Sequence, residues 1–197
     1  MTGGPTTKPS AALGFLTVLE DDELGIFGGY LLVNSTGRPL EFHCTAPVKP
    51  NRAQEILYGP TLRPYLYGEQ IGATLLEQTK QPPPLVLTDS TPALAVRAHV
   101  QTPVALIALG DSPGTALRIA DGNDASLVDG DGTDPARVGP YSVVVHNAHA
   151  SDLSAVEELI GGSCAIDLLE PFERIRAAIC EAQRIGGSAP RGALRIA

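Results

Sequence analysis

The 197-residue chain has no tryptophan, one methionine, three cysteines and only 5% aromatic residues. So few rings exclude a broad stacking platform for single-stranded nucleic acid, which needs exposed aromatics along a basic groove. The core must instead be built from Leu, Val, Ile and Ala. Positive charge is also scarce: 14 Lys and Arg stand against 22 Asp and Glu, a net charge of −8. That balance predicts no nucleic-acid partner. Cys44, Cys164 and Cys180 are odd in number and have no CxxC spacing, a pattern of a reduced compartment rather than of a disulfide framework or zinc site. Long apolar runs are missing too. The longest, Val104 to Leu109, is too short to cross a bilayer, and the opening MTGGPTTKPS has no apolar signal core. The expectation is a soluble, cytoplasmic protein without a membrane partner, and the Ala, Gly, Pro and Arg content suggests a GC-rich bacterial gene.

Signatures of several chemistries are absent as well. There is no GxxxxGK[ST], no GxGxxG after a strand, no GxSxG and no HExxH. No cofactor is assigned, and no repeat of solenoid period occurs.

What the chain does have is punctuation, with 21 Gly and 17 Pro. Residues 1–11 are Gly, Pro and Thr-rich and are expected to be disordered. Three apolar runs follow, Leu13 to Glu20, Gly25 to Asn34 and Pro39 to Thr45, joined by polar links, and they predict an antiparallel meander. Asn51 with Gln54 forms a capping-box pair opening a helix from Arg52 to Tyr58. A longer helix is expected from Thr61 to Lys80, with Pro64 in its first turn. Beyond the stiff Pro82-Pro83-Pro84 link, Leu85 to Leu87, a helix opened by Pro92, and Val104 to Leu109 make a compact βαβ unit, which requires parallel strands. A strand at Thr115 to Ala120, a loop over Asp121 to Pro140, a strand from Tyr141 to His146 and helices to Ile160 and from Leu169 to Ile185 complete the chain. The fold class is mixed α/β, with the meander and parallel strands in one sheet. The expected division is one domain over 12–185 with a loose tail at 186–197; two lobes, 12–80 and 84–185, are the alternative.

Four constellations carry candidate chemistry. In the first, Leu40, Phe42 and Cys44 alternate with Glu41, His43 and Thr45, so Cys44 is expected in the core and His43 on the polar face as a binding candidate. The second is His146-Asn147-Ala148-His149, with Asp152 after it at a strand-to-helix turn. Such turns gather ligands in open α/β sheets, but the spacing is no recognised metal set, and Asp152 reads as a helix cap. The third holds three of the five tyrosines, Tyr58, Tyr65 and Tyr67, around Arg63, residue types that dominate binding hot spots. There Tyr65 is expected inward and Tyr67 outward, while Glu69 falls near the centre of the apolar arc, where burial would raise its pKa. In the fourth, counting from Asp129, the acidic stretches Asp121 to Asp124 and Asp129 to Asp134 lack Gly and Glu where a calcium loop needs them.

The resulting expectation is a non-catalytic accessory protein that recognises a protein partner through Tyr58, Arg63, Tyr67 and His43. The alternative is a small hydrolase with its site at the carboxyl ends of the parallel strands, using Asp89, His146 and His149, with Cys44 and Glu69 as weaker catalytic candidates. No metal site is assigned. The charge deficit is uneven: Asp111 to Asp134 holds six acids and only Arg118 in return, an excess of five, so the remaining residues carry −3. A neutral or basic face around Lys49, Arg52 and Arg63 therefore remains open to a partner.

Overall fold

Turn chemistry sets the first three strands. The Asp21 carboxylate accepts the backbone N–H of Glu23 at 2.9 Å and of Leu24 at 2.7 Å, and Gly25 takes a φ of 108°. This folds β1 (Leu13–Asp21) onto β2 (Gly25–Val33). Asn34 Oδ1 gathers the N–H groups of Thr36 and Arg38 around Gly37, φ 75°, and leads into β3 (Pro39–Cys44). The computed structural model describes residues 12–109, 136–161 and 166–186. The expectations for 1–11, the strand at 115–120, the acidic stretches within 121–134, Cys164 and the tail from 187 lie outside those residues.

After the meander comes α1 (Arg52–Tyr58), opened by the expected reciprocal capping box between Asn51 and Gln54, both bonds 2.9 Å. The next helical stretch is continuous but not uniform. A 3-10 turn at Gly59–Thr61 and α2 (Leu62–Pro64) pass into a π-helical segment, Tyr65–Ala73, and then α3 (Thr74–Glu77). Wider turns in the π segment break the 100° phase on which the sequence reading relied. Glu69 therefore swings out and is exposed, while Tyr67 turns in and is buried, the reverse of both expectations. Gly68 makes this packing feasible. A Cβ there would lie 2.7 Å from Ala95 Cβ on the neighbouring 3-10 helix, Thr91–Ala98, which takes the place of the expected α-helix.

β4 (Val86–Thr88) and β5 (Val104–Leu109) flank that 3-10 helix, and β6 (Ala136–Val138), expected to be loop, turns at Gly139 into β7 (Tyr141–Val145). α4 (Asp152–Ile160) and α5 (Glu170–Gly186) close the described chain. The seven strands of the described residues share one sheet in the order β3-β2-β1-β4-β5-β7-β6. β1, β4 and β5 run parallel and every other pairing is antiparallel, so the mixed α/β class with a meander joined to parallel strands is the observed one.

Helices cover both faces of the sheet. On one, α4 and α5 bury Phe15, Leu87, Ile107, Phe172, Ile175 and Ile179; on the other, the π segment and the 3-10 helix bury Leu16, Tyr30, Ile71, Val86 and Leu94. Gly28 and Gly29 allow this double coverage of β2. A Cβ on Gly28 would sit 2.0 Å from Ile71 Cγ2, and one on Gly29 would sit 2.3 Å from Ile175 Cγ2. β3 lies at the sheet edge. There Leu40 and Cys44 are exposed, and only Phe42 packs on the core. Cys44 thus faces the α5 side as the alternation predicts, but edge position rather than burial decides its environment. Among the described residues no helix is long and apolar enough to cross a membrane.

Candidate functional site

Sheet register brings three separated residues together. β1 and β4 pair in parallel as Phe15 with Leu87 and Leu16 with Thr88, so the next step sets Thr17 level with Asp89, just past the carboxyl end of β4. Both side chains face α5, following Phe15 and Leu87 by two residues. Above them α5 buries Phe172, Ile175 and Ile179 against the sheet, and Gly29, paired with Thr17, lets that helix approach. Arg176, next to Ile175, then reaches Asp89 and donates from Nη2 to its Oδ2. Its Nη1 donates to Glu173 Oε1 at 2.6 Å.

The chemistry of this trio is incomplete. Thr17 is only 1% exposed, and among the described residues neither its hydroxyl oxygen nor the buried Asp89 Oδ1 has a hydrogen-bond partner. The Thr17 hydroxyl is near enough to the Asp89 carboxyl to act on its pKa, yet neither oxygen completes a hydrogen bond among the described residues. Burial pushes the Asp89 carboxyl above its ordinary value, and the Thr17 hydroxyl and the Arg176 charge only partly offset that effect. A buried oxygen without a donor is costly and uncommon. Here two such oxygens sit beside a guanidinium that is 35% exposed on its side chain. That combination can bind an anion at the cation and take up a proton at the carboxylate. As a metal site it fits poorly, since the guanidinium already lies against Asp89. Among the described residues no three His, Cys, Asp or Glu side chains converge to hold an ion.

The other sequence candidates stand elsewhere. β7 runs antiparallel to β5, pairing Val145 with Ala105, so His146 lies at the end of the sheet where β5 begins, whereas Asp89 lies at the end where β4 finishes. Asp89, His146 and His149 therefore share no site, and the expected hydrolase constellation is corrected on that ground. His146 instead accepts the Ala148 N–H at Nδ1, 3.2 Å. Its pKa is lowered, first by burial and then by the charges of His149 and Arg97. Asp152 is not a cap. It is buried and takes Arg97 Nε at 2.6 Å, Arg97 Nη2 at 3.1 Å and the Val104 N–H at 3.4 Å, while Arg97 Nη1 reaches Val100 O at 2.8 Å.

Cys44 pairs with Gly29 and so lies two strands from Thr17 on the same face, but its thiol is raised by partial desolvation and His43 points to the other face. His43 stacks on Tyr30 and contacts Glu41 at 3.2 Å. The tyrosine cluster is divided. Tyr58 stacks on Tyr65 with centroids 4.4 Å apart, whereas Tyr67 is core and donates to Glu20, which Arg63 also meets at 3.4 Å. Tyr58, Arg63, Tyr67 and His43 therefore form no single exposed surface.

No family model and no curated protein matches the chain. Solved structures do align with it. A Ciona intestinalis Endonuclease V, in complex with a 23mer DNA containing an inosine followed by a ribo-adenosine, aligns with a TM-score of 0.48 and 13% identity over 89% of this chain and 86% of that one. A Marinitoga piezophila Argonaute in complex with 5′ OH guide RNA aligns with a TM-score of 0.30 and 13% identity over 52% of this chain and 17% of that one. These neighbours are nucleic-acid complexes, the first of them an endonuclease. The expectation of a non-catalytic, protein-binding module with no nucleic-acid partner is therefore not kept: its four residues form no single exposed surface, and these neighbours are nucleic-acid complexes.

Sequence reasoning found Asp89 but missed Thr17, Glu173 and Arg176. One signal was present for each side of the site. Thr17 is the single polar residue within the apolar run from Leu13 to Leu19, and Arg176 adjoins Ile175 at the border of the buried stripe of α5.

Proposed function

We propose that the chain is a cytoplasmic hydrolase acting on the phosphodiester backbone of nucleic acid, with its site at the carboxyl end of β1 and β4. The observation that supports this reading most is the pair of buried, unpartnered oxygens, Thr17 Oγ1 and Asp89 Oδ1, beside the guanidinium of Arg176. In this reading Arg176 binds a phosphate oxygen and offsets the charge that grows on it during attack. As water attacks phosphorus and the bond from phosphorus to the leaving ester oxygen breaks, Asp89 accepts the water's proton and the leaving oxygen takes one from solvent; the raised pKa of Asp89 brings it nearer to the range of an effective base. The overall charge of −8 does not forbid the substrate, because five of those charges belong to the excess at 111–134. Cytoplasmic location is inferred from the odd, scattered cysteines of the sequence, of which Cys44 and Cys180 are free among the described residues.

Labelled single-stranded and duplex DNA and RNA, with and without Mg2+, test the proposal by gel shift and by resolution of cleavage products. The expected result is cleavage of at least one probe, lost in Asp89→Asn with binding retained, and weaker binding in Arg176→Gln. Absence of binding and cleavage with all four probes overturns it.

A further inference from the structure

The partners of Arg176 are unequal. Asp89 is buried to all but 16% of its side chain and approaches Nη2 from the sheet, whereas Glu173 is 76% exposed and meets Nη1 at 2.6 Å from one turn back on the same helix. An exposed pair three residues apart on a helix contributes little and is readily exchanged. The pair with Asp89 is held by the fold: Ile175 and Ile179 lock α5 over Gly29, and Asp89 leaves the end of a strand that is buried throughout. Of the two contacts, only the one on Nη1 can open to solvent without moving an element. The guanidinium is planar and presents its amines in a fixed fork, so a phosphate oxygen entering at Nη1 remains beside the carboxylate on Nη2.

Resting on the phosphodiester reading above, we infer that Glu173 is a resident competitor for the phosphate: the incoming phosphate displaces it from Arg176 Nη1 while Asp89 keeps Nη2, and the guanidinium serves as the site's cation without a divalent metal. Glu173 is thus a regulatory, positioning residue. It sets how readily Arg176 is available, and its carboxylate leaves the site when substrate arrives.

Direct binding of a labelled oligonucleotide, in EDTA and in Mg2+, tests this with the native chain and four single variants, two of which are also combined. Glu173→Gln is expected to tighten binding about two- to five-fold, the range that corresponds to an exposed ion pair. Arg176→Gln is expected to abolish the gain when combined with it. Glu181→Gln makes the same charge change on the same helix at a residue facing Arg184, and is expected to leave affinity unchanged. An unaltered affinity in Glu173→Gln, or an equal gain in Glu181→Gln, overturns the inference even if Arg176→Gln still weakens binding, in which case the phosphodiester reading stands. Binding that appears only with Mg2+ and is lost in Asp89→Asn overturns the inference alone. No binding by the native chain or any variant in either condition removes the underlying reading, and the inference with it.

Discussion

The sheet carries an Arg–Asp pair at each end, and the two are built differently. At the end where β5 begins, Arg97 and Asp152 make a two-pronged contact, side chains 12% and 5% exposed, and the carboxylate also receives the Val104 N–H. Asp152 has donors on both oxygens. At the end where β4 finishes, Arg176 touches one oxygen of Asp89, and among the described residues the other oxygen has no donor and the nearby Thr17 hydroxyl is equally idle. A saturated buried pair holds elements together, here the 3-10 helix, β5 and α4. A pair left short of donors keeps unused binding capacity inside the fold, at a cost in stability, which is the usual condition of a site that awaits a ligand.

Breaking the saturated pair gives the largest expected effect. Asp152→Ala leaves Arg97 charged and unpaired in a buried place and is expected to cost about 3–5 kcal/mol in urea denaturation. A cost near zero would mean that the clamp contributes nothing and that the contrast between the two ends is false. Next comes Gly29→Ala, which brings a Cβ against Ile175 and Ile179 and is expected to cost about 1–3 kcal/mol, as overpacking does. Because α5 is displaced, this variant is also expected to bind nucleic acid more weakly than the native chain at equal folded fraction. The open pair itself predicts the opposite sign. Asp89→Asn removes a charge that burial disfavours, so its thermal midpoint is expected to rise slightly while cleavage disappears, the trade between stability and activity common at working sites.

The smallest effect is in pH dependence, where the two ends have opposite signs. Asp89 has a folded pKa raised above its unfolded value by burial, so its stabilising contribution is complete below the unfolded value and is lost as pH rises through the folded one. His146 has a folded pKa that is lowered, so its contribution is present above the ordinary histidine value and is lost as pH falls through the folded one. Thermal midpoints across the acidic range are expected to change in slope near the carboxylate range in the native chain but not in Asp89→Asn, and near the histidine range but not in His146→Asn. A profile unaffected by either substitution contradicts the assignment.

Local rules made the fold readable and long-range pairing kept the site hidden. Turn residues and alternation disclosed the meander, and Asn51 with Gln54 announced α1, because those signals act over four residues or fewer. The π segment defeated the helical phase at Glu69 and Tyr67, and its close approach through Gly68 to Ala95 and Val96 is a contact that sequence spacing does not reveal. Asp152 has the residue type of a cap and the position of one, yet its partner Arg97 is 55 residues away. Arg176 and Asp89 are separated by 87 residues, and nothing in either neighbourhood names the other. The separation of His146 from Asp89 followed from one strand direction, antiparallel β7, which the run of valines alone does not encode.

The claim that Asp89 and Arg176 are kept open for a phosphodiester is tested most directly by the salt dependence of oligonucleotide binding in the native chain and in Arg176→Gln. Each phosphate contact adds about 0.7–0.9 to the slope of log affinity against log salt. The account predicts weaker binding in Arg176→Gln with a slope shallower by about one contact, and the same slope as the native chain in Arg184→Gln. Equal affinity and equal slope in the native chain and Arg176→Gln would contradict it.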